Sequence, residues 1–148
     1  MFRGIFRTAN DVPLAFLRLV LGAVFFAHGA QKMLGWWGGY GFTATMGYFE
    51  TRHIPAFLAF LAIAAEFFGG IGLIVGLLGR IAAFGIMVNM LVAIATVHWP
   101  FGLFMNWAGN QKGEGFEYHL LVIAMAILIM VRGSGAASID HAIAVSRH

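Results

Sequence analysis

Cysteine is absent from these 148 residues. That excludes disulfides, thiolate nucleophiles, Cys-ligated clusters and covalent c-type haem. Charge is scarce as well. Asp, Glu, Lys and Arg make up 10% of the chain, against roughly 25% in a soluble domain. The basic residues stand as singlets, with no run to track a phosphate backbone, so the formal charge of +3 calls for no nucleic-acid partner. No internal repeat or low-complexity tract breaks the sequence.

What fills the chain is hydrocarbon: 61% of the residues are hydrophobic and the mean hydropathy is +0.86. This is the composition of a multi-pass membrane protein surrounded by lipid, and its length suits a single domain, 1–148. The expected fold is all-α, a bundle of four transmembrane helices over about 14–34, 56–78, 81–99 and 116–131. Asn10 or Asp11 can cap the first helix, with Pro13 in its first turn. Ala27-His28-Gly29 resembles a signal-peptidase site, but Arg18 inside the apolar run argues against a signal peptide.

The first outer loop, residues 35–55, holds Trp36, Trp37 and Tyr40, residues suited to a membrane interface, and a short amphipathic segment over 42–49. The second span carries Glu66 near its middle and still inserts. Its thirteen Leu, Ile, Val and Phe residues contribute roughly −4 to −8 kcal/mol, against about 2.5–3.5 kcal/mol for one buried acid. Gly72-x-x-x-Gly76 in this span is a small-residue pattern for close helix approach. Gly79-Arg80 makes a short turn to the third span, which Pro100 ends, and the tail from Arg132 onward reads as a frayed or surface segment.

Four spans put both termini on one side with Arg3, Arg7, Arg18, Arg80, Arg132 and Arg147, leaving Lys32, Arg52 and Lys112 on the other. That bias predicts cytoplasmic termini. His28, Lys32, Glu66, His98, Glu117 and His119 then fall in the outer half of the bundle. Glu117 and His119 are two residues apart and cannot both face inward; Glu117 is the expected inward member. Each also has a structural role open to it: Glu66 as a lock with His28, Lys32 or Asn89, His98 as a dipole partner at a helix end, Lys32 and Arg18 as snorkelling side chains, Asn89 as interhelical glue.

Several stretches together resemble the DoxX family. They are Leu17-Arg18-Leu19 through His28-Gly29-Ala30-Gln31-Lys32, Ala65-Glu66-Phe67-Phe68-Gly69-Gly70, Leu77-Leu78-Gly79-Arg80, Thr96-Val97-His98-Trp99-Pro100-Phe101-Gly102 and Gly115-Phe116-Glu117-Tyr118. The resemblance covers about residues 13–133. It implies a four-helix protein of a bacterial or archaeal cytoplasmic membrane tied to respiratory or redox chemistry, as in subunits of thiosulfate:quinone and other membrane oxidoreductase complexes.

The corresponding functional expectation is a quinone-linked oxidoreductase. His28 and Lys32 would bind the quinone, Trp36 and Trp99 would wall its ring, and Glu66, His98 and Glu117 would serve catalysis by donating hydrogen bonds and carrying protons. With no cysteine, any sulfur chemistry falls to the substrate or a partner, and a soluble or membrane redox partner subunit is a candidate electron donor. Homo-oligomerisation is compatible with the glycine-rich faces. Two alternatives stand beside this one: a non-catalytic anchor or assembly subunit, and a metal- or haem-binding bundle. The second is weakened because no Glu-x-x-His or His-x-x-x-His spacing occurs among the candidate ligands.

Overall fold

The structure, a computed structural model, describes residues 3–146, with the Arg3 side chain excepted. Arg147, one of the charges counted for topology, lies outside the described residues. Among them the chain is entirely helical, with no strand. A short turn, α1 (Arg3–Phe6), precedes α2 (Val12–Leu34). Asp11 caps α2 by accepting the Leu14 amide at 3.0 Å, and the helix ends at Gly35, whose φ of +74° suits glycine. After a 3-10 turn at Trp36–Gly38 comes α3 (Gly41–Thr51), where a short outer segment was expected. Then follow α4 (Ala56–Val75), α5 (Gly79–Ala93), α6 (Glu117–Arg132) and α7 (Ile139–Ser146).

Three helical segments are long and apolar enough to cross a membrane: Val12–Leu34, Ala56–Val75 and Gly79–Phe101. The last is not one uniform helix. Beyond Ala93 it widens into a π turn, Ile94–His98, where Thr96 Oγ1 donates back to the Val92 carbonyl at 2.8 Å, and it closes in a 3-10 turn at Trp99–Phe101. α6, expected as a fourth span, is a helix of 16 residues, about 24 Å at 1.5 Å per residue, and is not among these three.

The closest helix packing is between α2 and α4. α5 then lies against both α4 and α6, while α6 meets α2 only sparsely. Leu14, Leu21, Phe25, Leu73, Ile86, Met90, Val122 and Ile129 join all four in one core. The α2–α4 contact depends on glycine. A Cβ at Gly29 would stand 2.4 Å from the Phe67 amide nitrogen, and one at Gly70 would stand 2.4 Å from that of Phe26. The close approach is thus made by Gly29 and Gly70, not by the Gly72–Gly76 pair. Gly76 instead ends α4 with φ +69°, three residues before the expected boundary.

Two expectations about the terminal end are corrected. Arg18 does not snorkel: it is fully buried, and its guanidinium donates to Ser134 O at 2.6 Å, Ile74 O at 2.9 Å, Ala137 O at 3.1 Å, Ala136 O at 3.3 Å, and also to Leu73 O. Nor is the tail frayed. Asp140 of α7 is buried, accepting from the Leu78 amide at 2.8 Å, the Gly79 amide at 3.0 Å and Ser134 Oγ at 2.6 Å. The last carbonyls of α4 and the first amides of α5 have no intrahelical partners, and these two side chains supply them. Both described ends of the chain therefore gather at one end of the bundle, where Arg132 also pairs with Asp11 at 3.1 Å.

Candidate functional site

The opposite end holds the ionisable groups. Lys32 on α2 forms an ion pair with Glu66 Oε2 on α4, and Asn89 Nδ2 on α5 donates to Glu66 Oε1 at 2.8 Å. Glu66 is 5% exposed, and both of its oxygens are engaged, as burial of a polar group requires. The Lys32 side chain keeps 32% of its surface exposed, so the ion pair reaches from the core to the surface. His28, one turn before Lys32, is exposed, makes no hydrogen bond to the described residues, and lies within electrostatic reach of both Lys32 and Glu66.

α6 closes the site with two groups that sequence reasoning ranked low or passed over. The Tyr118 hydroxyl is buried without a hydrogen-bond partner and is close enough to Glu66 to feel its charge. His119 is 6% exposed, and its Nδ1 is likewise buried and unpartnered. Its ring stands 4.1 Å, centroid to centroid, from that of His98. The π turn delivers His98 there. His98 Nδ1 lies 2.8 Å from the Glu114 carbonyl oxygen. A carbonyl only accepts, so this nitrogen carries the proton, leaving Nε2 free as an acceptor or, when charged, a second donor.

Glu117 does not face inward. Its Oε1 accepts the Met105 amide at 2.9 Å and the Trp107 indole N–H at 3.1 Å, holding the loop before α6, while Glu114 accepts the Asn106 amide at 2.6 Å. The inward member of that turn is His119. It begins the buried stripe His119, Val122, Ala126, Ile129, and this 3-4-3 spacing is a helical face visible in the sequence. Tyr118 lies one turn before Val122 and shares part of that face, the one sequence signal that could have found it.

The aromatic residues form two groups rather than one wall. Trp36 meets Trp37 at 5.6 Å and Phe26 at 6.4 Å, and Phe26 continues to Phe67 at 5.6 Å. Trp99 stacks on Phe116 at 5.6 Å with planes 8° apart. No ring contact joins the two groups among the described residues. The structure thus brings together Lys32, Glu66, Asn89 and Tyr118 from four helices, sets His98 and His119 beside them, and turns Glu117 away to the loop.

Comparison with known proteins bears on this arrangement. The DoxX family model matches residues 14–99, which include Lys32, Glu66, Asn89 and His98. A protein of Bacillus subtilis (strain 168) named "Putative oxidoreductase CatD" is 29% identical over 119 residues, covering 80% of this chain and 79% of its own. The "Inner membrane protein YqjF" of Escherichia coli (strain K12) is 28% identical over 131 residues, covering 88% of this chain and 92% of its own. No solved structure matches the chain significantly. With its apolar spans and a family match over more than half its length, this chain belongs to the DoxX family of membrane proteins.

Proposed function

We propose that the chain is a four-span subunit of a quinone-linked redox system in the cytoplasmic membrane, with its termini inside and the Glu66 end toward the outer surface. The observation that carries this reading is the pair of buried polar atoms without partners, Tyr118 Oη and His119 Nδ1, beside an ion-paired carboxylate. More than about 90% of buried polar groups are satisfied in native proteins, so two orphans side by side suit a hydrogen-bonding guest. A quinone offers carbonyl acceptors, and its ring and tail suit an apolar slot. The sparse contact between α2 and α6 provides a seam through which a lipid-soluble molecule would approach Tyr118.

Four spans are supported by where α6 begins and ends. Its first turn lies beside His98 and its last beside Arg80, whose guanidinium donates to the Met130 and Val131 carbonyls. α6 therefore covers the same height as α5, in the reverse direction. The inside placement of the termini rests on the gathering of Arg7, Arg18, Arg80 and Arg132 at that end.

A bound quinone supplies reversible two-electron, two-proton chemistry, and the chain's own residues bind, orient and handle protons. The Tyr118 hydroxyl would donate to one carbonyl, and His119 would donate to the guest when its Nδ1 is protonated. The Lys32 ammonium, which reaches the surface, can give a proton to the Glu66 carboxylate and, as the neutral amine left behind, take another from water. His98, fixed by Glu114, stands with its ring beside that of His119 and would exchange a proton with it. Electrons would come from a redox partner, since the chain has no cysteine to carry them. The name of the Bacillus relative supports an oxidoreductase role, and that of the Escherichia relative supports the inner membrane.

A second reading has its own support. Both Glu66 oxygens are already bonded, as they would be in a structural lock of a non-catalytic anchoring subunit. Titrating delipidated protein with a short-tail quinone while following tryptophan fluorescence separates the two. Saturable quenching, weakened in Tyr118→Phe, is expected for the quinone site. Quenching that never saturates leaves the anchoring role.

A further inference from the structure

The bundle has a second polar feature, far from Glu66. Where α1 leads into α2, α5 begins and α6 ends, an open cleft of about 450 Å³ is lined by Arg7, Thr8, Ala9, Arg80, Val131 and Arg132. Three arginines line it, and among the described residues the one carboxylate bonded to any of them is Asp11, which accepts from Arg132 at 3.1 Å. Arg80 anchors the cleft by donating to the Val131 carbonyl at 3.0 Å and the Arg7 carbonyl at 2.9 Å, while its Nε is buried without an acceptor. The Arg7 guanidinium is exposed and bonds to none of the described residues.

From this we infer that the cleft is a binding site for the phosphate headgroup of an anionic membrane lipid. Guanidinium forks match phosphate oxygens in pairs, and basic clefts at the ends of membrane helices take such headgroups. What favours a lipid over free phosphate is Val131. It lines the cleft and is the last of an exposed apolar row on α6 with Leu121, Ala124 and Leu128. That 3-4-3 row runs about 15 Å along the helix, a track for an acyl chain beneath the arginines. The cleft sits where Val12–Leu34 and Gly79–Phe101 begin, at the level where a span meets the headgroups. Neither the ion pair at Glu66 nor the quinone reading enters this argument.

Native mass spectrometry of the delipidated full-length protein tests it, with phosphatidylglycerol, phosphatidylcholine or inorganic phosphate added. Arg7 and Arg132 are the residues to change, because Arg80 holds backbone carbonyls that the fold needs. Wild type is expected to retain phosphatidylglycerol over phosphatidylcholine. The R7Q/R132Q double variant should lose about thirtyfold in apparent affinity, at roughly fivefold per charge. Lys112→Gln, in the loop at the other end, should retain the lipid as wild type does, and circular dichroism would confirm helicity throughout. Equal retention of the two lipids, or full retention in the double variant, overturns the proposal. Inorganic phosphate that displaces the lipid at equal concentration overturns it in favour of a free-anion site.

Discussion

Arg18 and Asp140 cap the two sides of one turn. Arg18 takes the Leu73 and Ile74 carbonyls where α4 ends, and Asp140 takes the Leu78 and Gly79 amides where α5 begins. Between them the chain reverses through Gly76 and Leu78, both at positive φ. Both caps come from parts of the chain more than fifty residues away.

Removing the first cap should be severe. Arg18→Gln leaves buried carbonyls unmatched and should lower stability by about 3–5 kcal/mol. Arg18→Lys should rescue little, since an ammonium cannot span five acceptors as the guanidinium fork does. Thermal unfolding in detergent measures both; a lysine variant as stable as wild type would contradict the geometry.

Asp140→Asn keeps the shape of the second cap but replaces one accepting oxygen with a donor facing a donor. A loss of about 1–2 kcal/mol is expected, read as a lower unfolding midpoint. Deleting α7 should cost at least as much.

The glycine seam makes a steric prediction. Gly29→Ala and Gly70→Ala each drive a methyl into the facing backbone, so accumulation in the membrane should fall sharply, by several kcal/mol of stability. Gly47→Ala, where a Cβ meets nothing within 4 Å, should be neutral in the same expression and melting assay.

Tyr118→Phe separates stability from function. Its hydroxyl is buried and unpaired, so removing it should leave stability unchanged or raise it by up to about 1 kcal/mol. Quinone affinity should nevertheless fall about tenfold, the value of one hydrogen bond of roughly 1.4 kcal/mol. A variant that is destabilised and binds quinone normally would show the hydroxyl to be structural.

Lys32 and Glu66 call for a double-mutant cycle. Lys32→Met alone leaves a buried carboxylate held only by Asn89 and should be destabilising by about 3 kcal/mol. Adding Glu66→Gln should recover much of that loss, giving a coupling of about 1–3 kcal/mol. Additive effects would mean that the pair contributes nothing to stability.

The spans and the meeting of Lys32, Glu66 and Asn89 were legible because hydropathy marks long apolar runs and because a buried acid must find partners. His119 is legible too, through the stripe that continues to Val122, Ala126 and Ile129, whereas the expectation for Glu117 rests on its acidity and ignores that periodicity. The Arg18 and Asp140 caps were not legible. Their partners are backbone atoms distant in the chain, and backbone acceptors leave no trace in residue types. The π turn under His98 is equally silent, since Ile-Ala-Thr-Val-His fits an ordinary helix as well.

The position of the Arg18 acceptors also sets an order of assembly. Three of its five carbonyl partners, those of Ser134, Ala136 and Ala137, lie beyond α6. During synthesis, Arg18 enters the bilayer with α2 long before those residues leave the ribosome. Until they arrive, Arg18 has only the Leu73 and Ile74 carbonyls of α4, and most of its N–H donors are left without acceptors. Arg18 is thus fully satisfied only once the segment after α6 has folded back against α2 and α4.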